Sequence, residues 1–291
     1  MELKPFVKWV GGKSDLTTRL FHIFSMRGFD RTKNRFVEPF VGAGAILLGL
    51  KPQNAVISDS NLDLITLWRT VRDKPEALVN LAILSIQSIT DTKSYNSARE
   101  RYNRISATDD PLAKSALLLA LNRTCFNGLY RVNRNGEFNV PYNKGSTAKS
   151  LNTDNIYAVS EYLNKANITI LCTDYRLVCD DVNKNDFVYL DPPYYPISKT
   201  AKFTEYTKNP FLVVEQKKLC EYFKRLRFSV GATVVMSNNS VPEIHKMYRM
   251  FNVEELSVRR SINSKGDKRS GKECLIYAGE QDDFREFAKL L

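Results

Sequence analysis

Histidine is almost missing: His22 and His245 are the only two and lie far apart in the chain. A histidine metal cluster is therefore excluded, and a lone imidazole is more readily a packed or surface residue than a catalytic one. The five cysteines, Cys125, Cys172, Cys179, Cys220 and Cys274, are scattered and form no C-x-x-C pair. Such a set speaks against a disulfide framework or a zinc site and for reduced, buried filler. No apolar run approaches the roughly 18 residues of a membrane span, and the opening "MELKPFVKWVGGK" has no apolar signal region. The expectation is a cytoplasmic protein without membrane attachment. Internal repeats and low-complexity tracts are absent too. Acidic residues are in short supply, 32 against 43 Lys plus Arg, for a formal charge of +11. That balance favours a polyanionic partner such as nucleic acid, but only if the charge gathers beside a site.

What is present suffices for a full core: 291 residues, 43% of them apolar, as one large α/β domain or a domain carrying an insertion. "NRFVEPFVGAGAILLGL" (Asn34 to Leu50) reads as strand, glycine turn and helix start, and "NAVISDS" (Asn54 to Ser60) as a second strand ending at Asp59. "NITILCTDY", "NDFVYLDPPY" and "ATVVMSNNS" are later apolar strands that end in polar residues, with helical patterns among them. The sum is a parallel, doubly wound sheet. Near the end, "FNVEELSVRR" and "ECLIYAG" flank a Gly-, Ser- and Lys-rich loop with no room for a helix, which predicts an antiparallel hairpin at the sheet's edge. About a hundred residues separate Asp59 from the strand at Asn167, far more than one crossover needs, so something is inserted. The inserted stretch is first helix-like ("LITLWRTV", "PLAKSALLLALNR"). It then becomes "FNGLYRVNRNGEFNVPYNKGS", rich in Asn, Gly, Arg and Tyr, as hairpins and loops require.

In an open sheet of this kind ligands sit beyond the carboxyl ends of the strands, where Gly42, Gly44, Asp59 and Asp191 fall. The glycines admit a nucleoside and Asp59, fifteen positions after Gly44, is placed to hold ribose hydroxyls; Asp59 also reads as an N-cap for the helix after it. A third glycine and a Walker lysine are both missing, which argues for a cofactor without phosphates, S-adenosylmethionine being the obvious nucleoside. The tetrad Asp191, Pro192, Pro193 and Tyr194 suits methylation of an exocyclic amino group. A carboxylate oxygen and a proline carbonyl are pure acceptors, able to take both N–H bonds of adenine N6 and return its lone pair from the ring. Tyr194 offers a ring face to a base lifted from the duplex. Read without its neighbours, the same tetrad is a strand-ending Asp-Pro turn.

At these residues the chain resembles the Dam-type, D12-class DNA adenine-N6 methyltransferases. The likeness runs in order through "FVKWVGGK", "FVEPFVGAG", "ISDSN", "LNRTCFNGLYRVNRNGEFNVPY", "YLDPPYYPIS", "FTEY" and "VRRSINS". It implies an α/β fold, a Rossmann-like S-adenosylmethionine-dependent methyltransferase sheet (1–60 and 165–291) with an inserted, mainly helical target-recognition domain (61–164, helices plus a β-hairpin). It further implies that Trp9, Lys13, Phe40, Gly42, Gly44, Asp59, Asp174 and Asp191 hold S-adenosylmethionine, released as S-adenosylhomocysteine, with no metal. Asp191 to Tyr194 would hold a flipped adenine, and Lys8, Asn127, Leu129, Arg131 and Pro141 would face the bases of double-stranded DNA, typically GATC. Arg123, Phe126, Asn133, Lys144, Arg259, Lys268 and Arg269 complete the expected DNA contacts, and no obligate protein partner is implied. After "FNVPY" the family commonly continues with Gly and a basic residue, where this chain has Asn143, Lys144 and Gly145.

By their own chemistry several of these positions read two ways. Arg131 can read guanine O6 and N7 bidentately or stand as a solvated charge, and Phe126 can fill the gap left by an extruded base. Lys8 and Trp9 adjoin a Gly-Gly pair, a pattern that also describes a turn with Trp9 in the core. The basic stretch Arg259 to Lys272 is either a phosphate-binding arm or a solvated loop. Two other functions compete: an RNA adenine or DNA cytosine-N4 methyltransferase, the latter typically with Ser at the Asp191 position, and a non-catalytic DNA-binding relative. A cytosine-C5 enzyme needs a Pro-Cys thiol, which the chain lacks.

Overall fold

The computed structural model describes residues 2–9, 11–13, 16–144, 150–196, 211–259 and 270–278, without the side chains of 257–259, 270 and 271. In chain order the elements are α1 (Thr17–Ser25), β1 (Arg35–Glu38), α2 (Ala45–Leu50), β2 (Asn54–Asp59), α3 (Leu62–Asp73), α4 (Pro75–Gln87), α5 (Thr92–Arg104), α6 (Pro111–Thr124) and α7 (Thr153–Lys165). There follow β3 (Asn167–Cys172), α8 (Tyr175–Asp180), β4 (Phe187–Leu190), α9 (Val213–Lys224), β5 (Thr233–Asn239), α10 (Pro242–Met247), β6 (Asn252–Arg259) and β7 (Ser270–Tyr277).

The strands form one sheet in the order β3-β2-β1-β4-β5-β7-β6. The first five are parallel, and β7 runs antiparallel to both β5 and β6. This is the doubly wound, mainly parallel sheet that the sequence predicts, and the hairpin at its edge is present. The last strand inserts beside β5 and leaves β6 outermost.

Strand alternation explains how the sheet is covered. In β1 and β4, Phe36, Phe187 and Tyr189 join one buried cluster, while Val37, Val188 and Leu190 join a second on the opposite face. All four residues of β4 are buried, as expected of a central parallel strand with both faces covered. α1 buries Leu20, Ile23 and Phe24 at helical spacing against the first cluster; α8, α9 and α10 supply the second.

Between β2 and β3 the helices α3 to α7 intervene. α6 is buried nearly all round, including Lys114, whose Nζ donates to the Tyr102 carbonyl at 2.9 Å and stands 3.4 Å from Asp63 Oδ2. Tyr102 donates to the same carboxylate at 2.5 Å, so the buried ammonium has a fixed counter-charge. After α6 the chain turns back on itself, with bridges Cys125–Tyr142 and Val132–Phe138. No helix among the described residues is long and apolar enough to cross a membrane.

Candidate active site

The strand order reverses between β1 and β4, one leading to β2 and β3, the other to β5. Crossovers from these two strands leave in opposite directions, which opens a crevice at their carboxyl ends. Glu38 ends β1 and Leu190 ends β4, so the turn from Pro39 and the turn from Asp191 border the same crevice.

The glycine turn is fixed from below by Trp68 of α3, whose Nε1 donates to the Gly42 carbonyl at 2.9 Å. Gly44 caps α2 at φ +71°, and a Cβ there would collide with the Trp68 ring, so both backbone and space demand glycine. On the other side a Cβ at Gly42 would come within 3.3 Å of Trp9 Cδ1. Trp9 is half-buried and stacks on Tyr130, ring centroids 4.7 Å apart and planes at 26°. Asp59 closes this end: Oδ2 accepts from Gly42 N at 3.3 Å and Oδ1 from Asn61 N at 2.9 Å. Burial pushes its carboxyl up to about 6, against the pull of those amides. The N-cap of α3 is Asn61, which accepts from Leu64 N at 3.0 Å, so the capping reading of Asp59 does not hold. Asp59 is held two residues before the cap, at the end of β2, where its carboxylate turns to the glycine turn instead. Phe40 stacks on Tyr175, centroids 5.2 Å apart. Asp174, the residue before, has both oxygens engaged by Arg176: Oδ1 by its backbone N and Nε, Oδ2 by Nη2. That pairing holds the Asp174 carboxyl below its ordinary range.

Asp191 is fixed from two sides. Tyr189 donates to Ser237 Oγ at 3.0 Å and Ser237 donates to Asp191 Oδ1 at 2.6 Å, while the buried Lys13 Nζ stands 3.4 Å from Oδ2. Lys13 also donates to the Gly11 carbonyl at 2.6 Å and lies 4.6 Å from the centroid of the Tyr194 ring. Burial raises the Asp191 carboxyl and Lys13 opposes that rise. The Pro193 carbonyl accepts from Gln216 Nε2 at 2.7 Å, whereas among the described residues no hydrogen bond reaches the Pro192 carbonyl. Tyr194 donates to Glu273 of β7 at 3.0 Å.

Four residues here escaped the sequence reading: Glu38, Gln216, Ser237 and Asn238, all buried. Glu38 left a signal, a carboxylate closing an otherwise apolar strand. Its Oε2 has no partner, and burial first, then the charge of Asp191, push its carboxyl well above the ordinary range. The other three look in sequence like solvated polar residues.

The expected DNA contacts gather on the turn after α6. Asn122 Oδ1 accepts from Lys8 N, and its Nδ2 donates to the carbonyls of Lys8 and Gly128, all at 2.9 Å. A Cβ on Gly128 would meet the Lys8 side chain, so Lys8 lies directly over the turn. Asn127 adopts φ +55°, and Phe126 N donates to the Pro141 carbonyl at 2.9 Å. Lys8, Phe126, Asn127, Arg131, Pro141 and Lys144 are exposed and Leu129 is half-buried. Asn133 is occupied in closing the hairpin, its Oδ1 accepting from Asn135 N and Glu137 N. Arg123 turns inward, with Nη2 on the Phe6 carbonyl at 3.3 Å and a buried, unpartnered Nε. Lys268 and Arg269 lie outside the described residues, as does the Arg259 side chain.

The crevice thus joins a carboxylate and a carbonyl on a proline-stiffened turn, an aromatic ring and an acidic lining that fits a cation. The unpartnered Glu38 oxygen and the Asp191 carboxylate suit the positive sulfonium and ammonium groups of S-adenosylmethionine, and Asp59 beside Gly42 suits its ribose.

The family model of the D12 class N6 adenine-specific DNA methyltransferase matches residues 9–262. The type II methyltransferase M.MjaIII of Methanocaldococcus jannaschii is 36% identical over 280 residues, covering 92% of this chain and 96% of the relative. The DNA adenine methylases of Haemophilus influenzae (30% over 268 residues, 91% and 90% covered) and Salmonella typhi (32% over 267 residues, 91% of each) are also similar.

Proposed function

The chain belongs to the D12 class N6 adenine-specific DNA methyltransferases, and from that premise we propose that it methylates adenine within GATC of double-stranded DNA, with the base swung out against the turn Asp191 to Tyr194. The observation that carries this reading is the unequal fate of the two proline carbonyls. Pro193 is taken by Gln216, so Asp191 and the Pro192 carbonyl are the pair of acceptors left for the two N–H bonds of an amino group. Accepting both bonds draws the N6 lone pair out of the ring. S-adenosylmethionine, when bound, supplies a methyl group already activated by its sulfonium. Ser237 and Lys13 keep the Asp191 carboxylate aimed, and Tyr194, tied by its hydroxyl to Glu273, presents its ring to the purine.

We assign Trp9, Lys13, Phe40, Gly42, Gly44, Asp59 and Asp191 to the cofactor, with Glu38 added, and Lys8, Phe126, Asn127, Leu129, Arg131 and Pro141 to the bases. Asp174 serves in this reading through its pairing with Arg176. The segment 61–164 acts as the target-recognition insertion, and its exposed turn beside Lys8 supports that role.

The test is transfer of labelled methyl from S-adenosylmethionine to duplexes with and without GATC, scored also by resistance to a methylation-blocked GATC endonuclease. Label confined to GATC is expected; label entering duplexes without GATC equally would reject the sequence assignment. Asp191→Ala should abolish transfer with DNA affinity kept within about tenfold, because phosphate contacts supply much of that affinity. A 2-aminopurine at the target adenine should brighten on binding if the base leaves the stack.

A further inference from the structure

A Pro-Pro turn cannot hold itself. Pro192 and Pro193 have no backbone N–H, so no ladder bond from these two residues can fix the direction of the carbonyls that follow the strand. In this chain the bonds come from side chains of two other elements. Gln216 of α9 donates from Nε2 to the Pro193 carbonyl at 2.7 Å; its Oε1 accepts from Asn238 Nδ2 at 3.1 Å; Asn238 Oδ1 accepts from Tyr195 N at 2.9 Å. Asn239 Nδ2 donates to the Tyr195 carbonyl at 2.6 Å. The bonds run in a ring from the Tyr195 amide through two side-chain amides to the Pro193 carbonyl, two residues earlier.

The polarity of that ring is not optional. A backbone N–H at one end can only donate and a carbonyl at the other can only accept, so both amide groups are fixed in orientation. Gln216 and Asn238 are fully buried, with solvent unable to substitute for a lost partner. The outcome at the active site is specific: with Pro193 bound inward, the peptide plane ahead of it, which carries the Pro192 carbonyl, is set as well.

We propose that Gln216, through Asn238, is the positioning residue that sets the Pro192 carbonyl as the second acceptor of the target amine. The inference rests on the reading of the Asp191 turn given above. Gln216 touches neither cofactor nor substrate in this role; it acts through the backbone it holds.

Gln216→Glu tests this, because the protonated acid can donate to Pro193 and accept from Asn238 as the amide does, whereas the carboxylate sets an acceptor against an acceptor. Single-turnover methyl transfer by wild type and variant, measured from pH 6 to pH 9 on the same duplex, gives a ratio in which the titration of Asp191 cancels. The expected ratio falls about 10²-fold toward high pH, the scale of a misplacement near 1 Å, and recovers toward low pH. S-adenosylmethionine and DNA affinities should stay within about threefold, so that the loss lies in the chemical step. Asn238→Asp, which keeps the acceptor for Tyr195 and loses the donor to Gln216, should lose the same step and also recover at low pH. It serves if Gln216→Glu does not fold. A ratio flat with pH in both variants, or a loss tracking weaker cofactor binding, overturns the proposal. Should Asp191→Ala retain transfer, the reading of the turn itself fails; an inactive Asp191→Ala beside a flat Gln216→Glu ratio removes only the relay.

Discussion

Trp9 lies on Tyr130 with ring centroids 4.7 Å apart, and through that one contact the glycine turn and the hairpin that follows α6 share a wall. Trp9 edges Gly42 on one side and follows Lys8, which covers Gly128, on the other; Tyr130 precedes Arg131. Trp9, assigned to the cofactor, therefore adjoins Lys8 and packs on the residue that precedes Arg131, both of which are assigned to the bases.

The chain has two tryptophans, and both border the glycine turn. Trp68 is buried beneath it with its indole N–H bonded, whereas Trp9 is half-buried at its side. Adding S-adenosylmethionine should change the intrinsic fluorescence of the wild type and of Trp68→Phe, and leave that of Trp9→Phe nearly constant. A response that follows Trp68 instead would place the cofactor on another side of the turn.

Gly44→Ala should be severely destabilising. It forces an L-residue to φ +71° and drives a methyl into Trp68, which together cost about 2 to 5 kcal/mol. Denaturant unfolding measures the loss. Trp68→Leu in the same background makes room for the methyl and should recover part of it, leaving the φ penalty.

The strand ends, the glycine turn, the Asp-Pro-Pro-Tyr turn and the long gap were all visible in sequence, because each is a local departure from a period: glycine or proline after an apolar run, or too many residues for one crossover. Gln216 was not visible. It stands between Glu215 and Lys217, and nothing local separates a glutamine facing solvent from one buried against a turn twenty-three residues earlier. Ser237 and Asn238 were legible as the polar end of β5, though not as the partners of Asp191 and Gln216, which the β4–β5 pairing brings close. The cap of α3 went to Asn61 over Asp59 because the strand holds Asp59 two residues back.

In the cofactor site proposed above, Asp59 would give S-adenosylmethionine affinity a pH dependence with a definite sign. Its carboxyl is pushed from an ordinary 3.8 up to about 6, so the folded chain takes this proton more readily than the unfolded chain. Its own contribution to stability is therefore greatest in acid and is withdrawn as pH rises from about 3.8 to about 6. Binding of ribose hydroxyls runs the other way, since they need the carboxylate as acceptor. S-adenosylmethionine affinity should fall about tenfold per pH unit below pH 6 from this group alone. Calorimetric titration of wild type against Asp59→Asn should show one proton fewer in the variant's slope; equal slopes would remove Asp59 from the cofactor site.

Arg131 is exposed yet not loose. Its Nε donates to Asn139 Oδ1 at 2.8 Å and its Nη2 to the Asn139 carbonyl at 3.2 Å, so the fork is already aimed by the opposite arm of the hairpin and Nη1 is left to reach outward. A guanidinium held this way gives up little freedom on meeting a guanine edge. Arg131→Ala should cost about 1 to 3 kcal/mol of discrimination at one base pair, with the salt dependence of binding unchanged. Asn139→Ala keeps the charge and frees the fork, so it should lose part of the same discrimination at the same base pair while affinity for unrelated duplexes holds. Competition binding over all single substitutions of GATC, repeated at two salt concentrations, separates the outcomes. Uniform weakening on every sequence with a shallower salt slope would make Arg131 a phosphate contact, and an Asn139→Ala profile identical to wild type would show that the hairpin does not aim it.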